Sequence, residues 1–408
     1  MLEIFDDVVY VRGAQKGAIY NFLDGKIYWI SSDSCDLIEK LAYSKDALNS
    51  LTSEELKYIN QLQQNGLYQL GYQIHPYNLS SDGTQRLELA WLEITQACNC
   101  KCLHCYQGNE HIPAQTVLSL EDWRRAIYQL SELNVSRVVV IGGEPCVHKD
   151  LYAILSELCK NRINTTLFTN ATIINSELMH FLIQNRNLVS VKVSLYGDNP
   201  ATHDLITQSP GSFDQVVANV KRLTSQGVTV DVAVVAMREN QDALEHIGDF
   251  ARSIGANYSK FDVIRNVFGG TQDQHTPTNP EIISSTMFCR PKFKANKARF
   301  IRNSSNNSCW YGKIAITETG DVLPCVFERK IVYGNIRENH LQDILLSDTL
   351  KKHWNLSFDQ VECCRDCEFR YACKDCRPLG LSVQGSIATK NPRCKYDPYS
   401  GQWGAENE

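Results

Sequence analysis

The first part of the chain has apolar positions that alternate as in β-strands and then recur as in helices. Three strands are predicted there, at residues 8–11, 18–23 and 26–30. An Asp24-Gly25 pair between the last two strands favours a hairpin turn. One helical pattern carries Leu37, Ile38 and Leu41, and a second begins at the capping-box sequence 52–55. These elements predict a winged-helix-like module over residues 1–75, followed by a polar linker at 76–87.

From residue 88 onward, apolar segments of strand length alternate with helical patterns. Six strands are predicted, at residues 88–95, 137–141, 165–169, 189–195, 228–237 and 260–264. Five helices are predicted between them, at residues 120–133, 151–160, 176–184, 213–226 and 241–254. Strands that alternate with helices of roughly 10–15 residues favour a parallel sheet built from βαβ units. Periodicity alone leaves a partial barrel and a doubly wound sheet both open, and the repeat ends near residue 285.

Length and charge narrow the class of protein. The 408 residues predict two to three domains at roughly 150 residues each. The start Met-Leu-Glu-Ile-Phe-Asp-Asp lacks the basic and apolar regions of a signal peptide, and the apolar run 232–237 is far shorter than the ~20 residues of a membrane span. A net charge of −5 disfavours a nucleic-acid partner. We therefore expect a cytoplasmic protein without a membrane partner.

The chain contains 16 cysteines, and most of them occur in two groups. Four lie within residues 98–105 and five within residues 363–376. Grouped cysteines in a reducing compartment usually bind metal rather than form disulfides. Iron–sulfur clusters and zinc are the two candidates.

The first group has the spacing Cys98-x3-Cys102-x2-Cys105 and follows the first strand of the repeat. Ligand sites in parallel α/β folds lie at the carboxyl ends of strands. Three cysteines can bind three corners of a cubane cluster and leave one iron without a protein ligand. The alternative is a structural zinc site, in which Cys100 or His104 is the fourth ligand.

A second motif, Gly142-Gly143-Glu144-Pro145, ends the second strand. Two glycines allow a ligand to approach the backbone closely, and a neighbouring carboxylate can bind an ammonium group. Alone, the motif is more typical of a turn. Beside the three cysteines it favours a binding site.

Together these motifs resemble the radical S-adenosylmethionine (SAM) superfamily. The resemblance implies that Cys98, Cys102 and Cys105 hold a [4Fe-4S] cluster whose fourth iron is chelated by SAM. It also implies a set of SAM-binding residues: Glu144, Gly142, Gly143, Tyr106, Ser194 and Arg265. In this family the cluster reduces SAM to methionine and a 5′-deoxyadenosyl radical, which abstracts hydrogen from the substrate. Glu144 would bind the SAM ammonium group, and no catalytic base is identified.

The remaining cysteines resemble the SPASM domain, an extension of radical SAM enzymes with two auxiliary [4Fe-4S] clusters. By order along the chain, auxiliary cluster I takes Cys309, Cys325 and Cys376. Auxiliary cluster II takes Cys364, Cys367, Cys373 and Cys394. Only Lys374 and Asp375 separate the fifth and sixth cysteines, where the family commonly has three residues. Cluster I also lacks a close upstream cysteine, so Cys289 supplies its fourth ligand or one iron stays open. On spacing alone, a pair of zinc ribbons is as good an interpretation.

The N-terminal module resembles the PqqD-like domain of peptide-modifying SPASM enzymes, which binds a leader peptide as an added strand. A structural cap on the barrel is the alternative. DNA binding is disfavoured, because residues 1–70 contain no basic cluster. The expected architecture is α/β: a partial (β/α)6 barrel at 88–285 between the winged-helix-like module and a cysteine-rich SPASM domain at 286–408.

These resemblances imply a radical SAM/SPASM enzyme that matures a ribosomally made precursor peptide, most readily by an intramolecular crosslink. Its electron donor would be a flavodoxin or ferredoxin. An enzyme of the anaerobic sulfatase-maturating type, which oxidises Cys or Ser to formylglycine, is the enzymatic alternative. A cysteine-rich zinc-binding regulatory protein is the non-enzymatic alternative.

Overall fold

The structure is a computed structural model that describes residues 1–69, 72–79, 86–108, 116–265, 267, 273–283 and 294–404. The chain folds as two compact units. The first comprises Met1–Thr84, Phe288–Tyr311 and His353–Glu408, and the second comprises Gln85–Met287 and Gly312–Lys352. These two units are defined by how the segments pack. The domains proposed above were defined by sequence pattern and motif, and they stay a prediction.

The first unit contains an antiparallel sheet in the order β4-β3-β2-β1-β5. Its strands are β1 (Leu2–Phe5), β2 (Val8–Arg12), β3 (Gly17–Asn21), β4 (Lys26–Ile30) and β5 (His75–Pro76). Two helices follow β4, α1 (Ser32–Tyr43) and α2 (Ser53–Gln64). The predicted capping box is confirmed: the Glu55 N–H donates to Thr52 Oγ1 at 3.2 Å, and the Thr52 N–H donates to Glu55 Oε2 at 2.7 Å.

The central strands of this sheet, β2 and β3, are buried on both faces. Successive side chains of a strand point to opposite faces, so Val8 and Tyr10 pack with the helical residues Ile38 and Ile59 in one core. Residues of alternate parity on β2 and β3 form a second core with the C-terminal part of the same unit. The members of that second core on β2 and β3 are Val9, Val11, Ala18 and Tyr20.

The second unit alternates strands with helices as predicted. Its parallel strands are β6 (Leu89–Glu93), β7 (Arg137–Ile141), β8 (Thr165–Thr169), β9 (Val189–Ser194), β10 (Val230–Ala236) and β11 (Phe261–Val263). The helices of this region are α3 (Leu120–Glu132), α4 (Leu151–Lys160), α5 (Ser176–Gln184), α6 (Pro200–Thr207), α7 (Ser212–Ser225), α8 (Leu244–Ser253) and α9 (Pro280–Ile282). All six predicted strands are confirmed in position. Helix α6 was not predicted, although Asn199 and Pro200 form an N-cap and first-turn signal for it.

Strand order decides between the two sheet types that periodicity left open. The strands follow one another from β6 to β11 without reversal, whereas a doubly wound sheet reverses its order at a switch point. The expected partial (β/α)6 barrel is therefore confirmed. Beyond β6 the sheet continues through β12 (Lys313–Ile316), β13 (Asp321–Leu323) and β14 (Gly334–Asn335), with β12 parallel to β6.

The remaining elements are short. They are α10 (Lys297–Ser305), α11 (Leu341–Leu346), α12 (Asp348–Trp354), α13 (Arg377–Gln384), β15 (Tyr396–Asp397) and β16 (Gln402–Trp403). Within the described ranges, the search for a helix of membrane-spanning length and hydropathy finds none.

Along the barrel strands, successive side chains alternate between the hydrophobic core and an internal cavity. Ala90, Leu92 and Val140 on β6 and β7 are fully buried. Residues of the opposite parity, such as Trp91 and Phe168, line an internal cavity. The inner face of the barrel is therefore the surface at which a ligand can bind.

Candidate active site

The inner faces of β6–β11 and the loops that follow them line a cavity of about 560 Å³. This volume lies within the ordinary range for small-molecule sites. Eight of the residues singled out from the sequence line it: Cys98, Cys102, Cys105, Tyr106, Gly142, Gly143, Ser194 and Arg265. Folding therefore brings together side chains that are as far apart in the chain as residues 98 and 265.

The cysteine loop begins directly after β6 and is fixed by main-chain hydrogen bonds. The Cys105 N–H donates to the Cys102 carbonyl at 3.1 Å. The N–H groups of Lys101 and Leu103 donate to carbonyls of α6, those of Thr207 and Ile206, at 3.1 and 2.9 Å. The unpredicted helix α6 is thus the support for the middle of the cysteine loop.

Burial makes these thiols reluctant to ionise without a metal. Desolvation raises the pKa of Cys98 to about 12 and raises the pKa values of Cys102 and Cys105 as well. A bound metal reverses this preference because it holds cysteine as the thiolate. Among the residues that the structure describes, no three His, Cys, Asp or Glu side chains are close enough to hold a single metal ion. A cubane cluster needs no such group, since each cysteine binds a different iron, and the three-thiol donor set fits it.

The glycine pair packs against the start of the cysteine loop. A Cβ on Gly142 would stand 2.2 Å from the Thr95 carbonyl oxygen, and one on Gly143 would stand 2.3 Å from that of Ala97. The Gly143 N–H also donates to the Thr95 carbonyl at 2.7 Å. Glycine is thus required for loop-to-loop contact, in addition to any approach by a ligand that the sequence suggested.

Glu144 is fully buried and lies behind the cavity wall. Its carboxylate accepts hydrogen bonds from Thr169 Oγ1 at 2.6 Å, from the Asn170 N–H at 2.6 Å and from the Cys146 N–H at 2.9 Å. Desolvation raises its pKa, which these hydrogen bonds oppose. Glu144 therefore ties the end of β7 to the end of β8, and its contact with the SAM ammonium group stays a prediction.

A buried network below the cysteine loop was missed by the sequence reasoning. The Tyr106 hydroxyl donates to Glu93 Oε1 at 2.8 Å, and Arg329 donates to both Glu93 oxygens at 2.5 Å. The side chains of Glu93 and Arg329 are 3% and 15% exposed. The only sequence signal was a glutamate inside the apolar strand pattern Leu89–Glu93. This network joins the last cysteine of the loop to the segment that follows Cys325.

His104, Ser194 and Arg265 occupy the other sides of the cavity. The His104 Nε2 and the Tyr196 hydroxyl lie 3.0 Å apart, and desolvation lowers the pKa of His104 to about 4, so the imidazole is neutral. Ser194 ends β9 beside Ala233 of β10. Arg265 pairs with Asp262 at 2.6 Å and stacks on Phe327, which leaves its role toward a SAM carboxylate a prediction.

The predicted ligands of auxiliary cluster II all lie in the first unit. Cys367 and Cys394 pack against its second core, and Cys364 and Cys373 pack against Leu356, Phe358 and Val361. Burial, together with the neighbouring Asp375 and Cys394, raises the pKa of Cys364 to about 12. Burial, the Glu368 carboxylate, Cys364 and Cys394 likewise raise the pKa of Cys367. Several members of this set therefore lie near one another.

The predicted ligands of auxiliary cluster I are divided between the units. Cys309 and Cys376 belong to the first unit and Cys325 to the second. Arg377, which is fully buried and paired with Asp375, has Cys364 and Cys309 among its electrostatic neighbours. Cys289 lies outside the described residues. The ligand set of cluster I stays a prediction.

Comparison with protein families identifies the barrel. The Radical SAM superfamily model matches residues 92–251, which contain the cysteine loop and the Gly142-Gly143-Glu144-Pro145 motif. The chain contains a radical SAM domain. A second model, the SPASM iron-sulfur cluster-binding domain, matches residues 308–368. The cofactors of this radical SAM enzyme are accordingly SAM, one SAM-binding [4Fe-4S] cluster and auxiliary clusters in the SPASM domain.

The proteins that are similar to this radical SAM enzyme have names that describe different biosynthetic activities. It is 26% identical over 343 residues to the subtilosin biosynthesis protein AlbA of Bacillus subtilis, covering 79% of this chain and 75% of AlbA. It is 21% identical over 339 residues to an AdoMet-dependent heme synthase of Methanosarcina barkeri, covering 76% of this chain and 96% of the synthase. The crystal structure of Streptococcus suis SuiB bound to its precursor peptide SuiA shares the fold, with a TM-score of 0.61, 17% identity and coverage of 97% and 100% of the two chains.

Proposed function

We propose that this radical SAM enzyme matures a ribosomally made precursor peptide and forms an intramolecular crosslink in it. The observation that carries the proposal is the presence, in one chain, of a cysteine-lined barrel cavity and of a separate sheet whose edge strand β4 pairs, among the described strands, with β3 alone. The barrel alone does not decide the substrate, because a bacteriocin biosynthesis protein and a heme synthase are both similar to it. SuiB, which resembles the chain over nearly its whole length, was crystallised with a precursor peptide.

In this proposal the residues of the cavity hold the cofactors and orient the substrate. Cys98, Cys102 and Cys105 bind the cluster, and bound SAM supplies the radical that abstracts hydrogen. Gly142 and Gly143 bring their backbone against the cysteine loop at the place where SAM binds. Ser194 would face the ribose, and Tyr106 would hold the loop in position through Glu93. Further residues proposed for SAM binding are Glu144 and Arg265.

The leader of the precursor would bind at β4. Of the strands that the structure describes, only β3 pairs with β4. The other edge strand, β5, has two residues, and one is Pro76, which has no N–H to donate. Peptides commonly bind such free edges as an added strand, with main-chain hydrogen bonds providing affinity. Both the free edge and its length favour β4 over β5.

The auxiliary clusters would receive the electron that a substrate radical must lose when a new bond forms. We assign Cys364, Cys367, Cys373 and Cys394 to cluster II. We assign Cys309, Cys325 and Cys376 to cluster I, whose fourth iron is bound by Cys289 or stays open to substrate. A flavodoxin or ferredoxin in the cytoplasm would supply the electrons that start each turnover.

The experiment uses the full-length enzyme, purified and reduced without oxygen, with SAM and each short peptide found to be encoded near its gene. We expect 5′-deoxyadenosine to form together with a peptide that has lost hydrogen, and tandem mass spectrometry to locate the crosslink. The same peptide without its leader should react much more slowly, and added free leader should inhibit the full-length peptide.

Other outcomes contradict the proposal. Equal turnover of leaderless and full-length peptide would contradict the proposed binding of the leader at β4. Conversion of a Cys or Ser to formylglycine in a short unstructured peptide would favour the sulfatase-maturating alternative. Zinc without iron or sulfide in the anaerobic protein would favour the regulatory alternative.

A further inference from the structure

We propose that the N-terminal sheet is the assembly platform for auxiliary cluster II, and that Glu368 is the positioning residue that fixes the cysteine segment to it. The inference rests on the ligand assignment proposed above. It gives the sheet a second task that is independent of leader binding, on the face opposite its helices.

Main-chain contacts with the sheet surround Cys367 on both sides. The Ala14 N–H donates to the Asp366 carbonyl at 2.8 Å, and the Tyr20 hydroxyl donates to the Glu368 carbonyl at 2.8 Å. Arg370 donates from one guanidinium nitrogen to the Arg12 carbonyl at 2.9 Å and to the Cys367 carbonyl at 2.7 Å. The backbone is thus fixed one residue before Cys367, one residue after it and at Cys367 itself.

The Glu368 carboxylate adds a junction between three parts of the unit. Its Oε1 accepts hydrogen bonds from Trp29 Nε1 of β4 and from the Tyr396 hydroxyl, each at 2.5 Å. Tyr396 lies two residues after Cys394. One fully buried carboxylate therefore ties the sheet to the turn of Cys367 and to the segment of Cys394.

The apolar contacts of the same region are extensive. Val9, Val11, Ala18 and Tyr20 of the sheet pack with Phe300, Phe369, Tyr371, Ala372 and Tyr396, and Cys367 and Cys394 pack against this group. Tyr20, whose ring centre lies 4.9 Å from that of Phe300, is almost fully buried there. If the sheet were absent, this apolar surface would face water and the two cysteines would lose their support.

Gly13 shows how closely the turn fits the sheet. A Cβ at this position would stand 2.6 Å from Glu368 Oε2 and 2.9 Å from the Glu368 nitrogen. Such distances force one of the two groups to move. The loop after β2 is therefore matched to the turn that follows Cys367.

The test measures cluster retention residue by residue. Wild type, Glu368→Ala and Glu368→Gln are reconstituted without oxygen, assayed for iron and sulfide, and treated with a thiol-alkylating reagent before mass spectrometry. We expect Glu368→Ala to lose about a third of its iron and sulfide, one cubane in three, with alkylation at Cys364, Cys367, Cys373 and Cys394 while Cys98, Cys102 and Cys105 stay protected. Glu368→Gln keeps an oxygen that accepts both hydrogen bonds and should retain most of the cluster.

Two variants with smaller structural changes test the proposal if Glu368→Ala does not fold. Trp29→Phe removes one hydrogen bond to Glu368, and we expect several-fold faster iron release to a chelator with alkylation at the four cysteines. Tyr28→Phe, the control on the same strand, removes only an exposed hydrogen bond to Asp24 and should release iron at the wild-type rate.

Equal rates of iron release from Trp29→Phe and Tyr28→Phe would contradict the proposed role of the N-terminal sheet in cluster assembly. So would full cluster retention in Glu368→Ala. If instead serine variants of the four cysteines keep all iron and sulfide, the ligand assignment itself is wrong, which is a different failure from that of Glu368. Loss of peptide turnover without loss of iron in Trp29→Phe would support leader binding alone and count against the platform.

Discussion

The cysteine loop at 98–105 and the cysteine segment at 364–394 differ in the origin of the contacts that support them. The loop is held by the ends of its own barrel strands and by α6, within one unit. The segment is held by a sheet at the other end of the chain, through contacts such as that between Tyr20 and Glu368, which are 348 residues apart. One site is thus supported by elements of its own barrel, and the other by a sheet from the opposite end of the chain.

This difference has a functional consequence. If the two sites have separate supports, damage to one should leave the other loaded with its cluster. The N-terminal sheet would then serve both leader binding and cluster retention, so its deletion cannot separate peptide recognition from the chemistry. Point variants are the better tool, and the following four test the cysteine loop and its supporting contacts in order of decreasing effect.

The largest effect is expected from replacing Cys98, Cys102 and Cys105 together by Ala. The three thiolates assigned to the cluster are then gone, so formation of 5′-deoxyadenosine from SAM should fall below detection. Iron and sulfide should drop by about a third, and the cysteines of the SPASM segment should stay protected from alkylation. Continued SAM cleavage would refute the loop assignment, and loss of all iron would refute the independence of the two sites.

The next largest effect is expected from breaking the buried ion pair of Glu93 and Arg329 below the cysteine loop. Glu93→Leu leaves the Arg329 guanidinium without its carboxylate, and we expect the free energy of unfolding to fall by about 3–5 kcal/mol. The double variant Glu93→Leu/Arg329→Met removes both charges and should recover most of that loss. Denaturant unfolding of all three proteins and of Arg329→Met measures the coupling. If the double variant is as unstable as Glu93→Leu, the pair is not coupled.

The contrast between the cysteine loop and the cysteine segment also explains which features could be predicted from the sequence. The strands Arg137–Ile141 and Thr165–Thr169 were predicted with their observed bounds, because buried parallel strands leave a contiguous local signal. The cysteine loop and the glycine pair were found because their spacing is itself the signal. The cavity that gathers them follows from the strand order, which periodicity could not supply.

What was missed depends on pairs that are distant in the chain. Glu93 and Arg329 are 236 residues apart, and neither has a local pattern that names the other. Glu368 directly follows the predicted ligand Cys367, and nothing marks it as more than an ordinary charged residue until Trp29 and Tyr396 are placed beside it. β5 has two residues, too short for a periodic pattern. Long-range pairing of this kind is a property of the fold, not of any window of sequence.

A smaller effect is expected at the glycine pair. Gly143→Ala would place a methyl group 2.3 Å from the Ala97 carbonyl and 2.5 Å from that of Gln96, so the cysteine loop must shift. We expect a loss of about 1–3 kcal/mol in the free energy of unfolding and weaker SAM binding by calorimetry. Gly404→Ala is the matched control, since its added carbon would meet its neighbours at ordinary contact distances. Equal behaviour of the two variants would contradict the close packing.

The smallest effect is a dependence of stability on pH that arises near α6. His203 is 1% exposed, its Nδ1 accepts the Tyr196 N–H at 3.2 Å, and desolvation lowers its pKa from 6.5 to about 4. A histidine that is neutral when folded and protonated when unfolded stabilises fully above its unfolded pKa and loses that contribution as the pH falls toward its folded pKa. Between pH 8 and pH 5.5 we expect a loss of about 1 kcal/mol. His203→Gln cannot titrate, so its unfolding free energy, measured at both pH values, should fall by about 1 kcal/mol less than that of the wild type. Identical pH dependence in the two proteins would mean that His203 is protonated in the folded state, and the support of the cysteine loop by α6 would then have to tolerate a charge beside Tyr196.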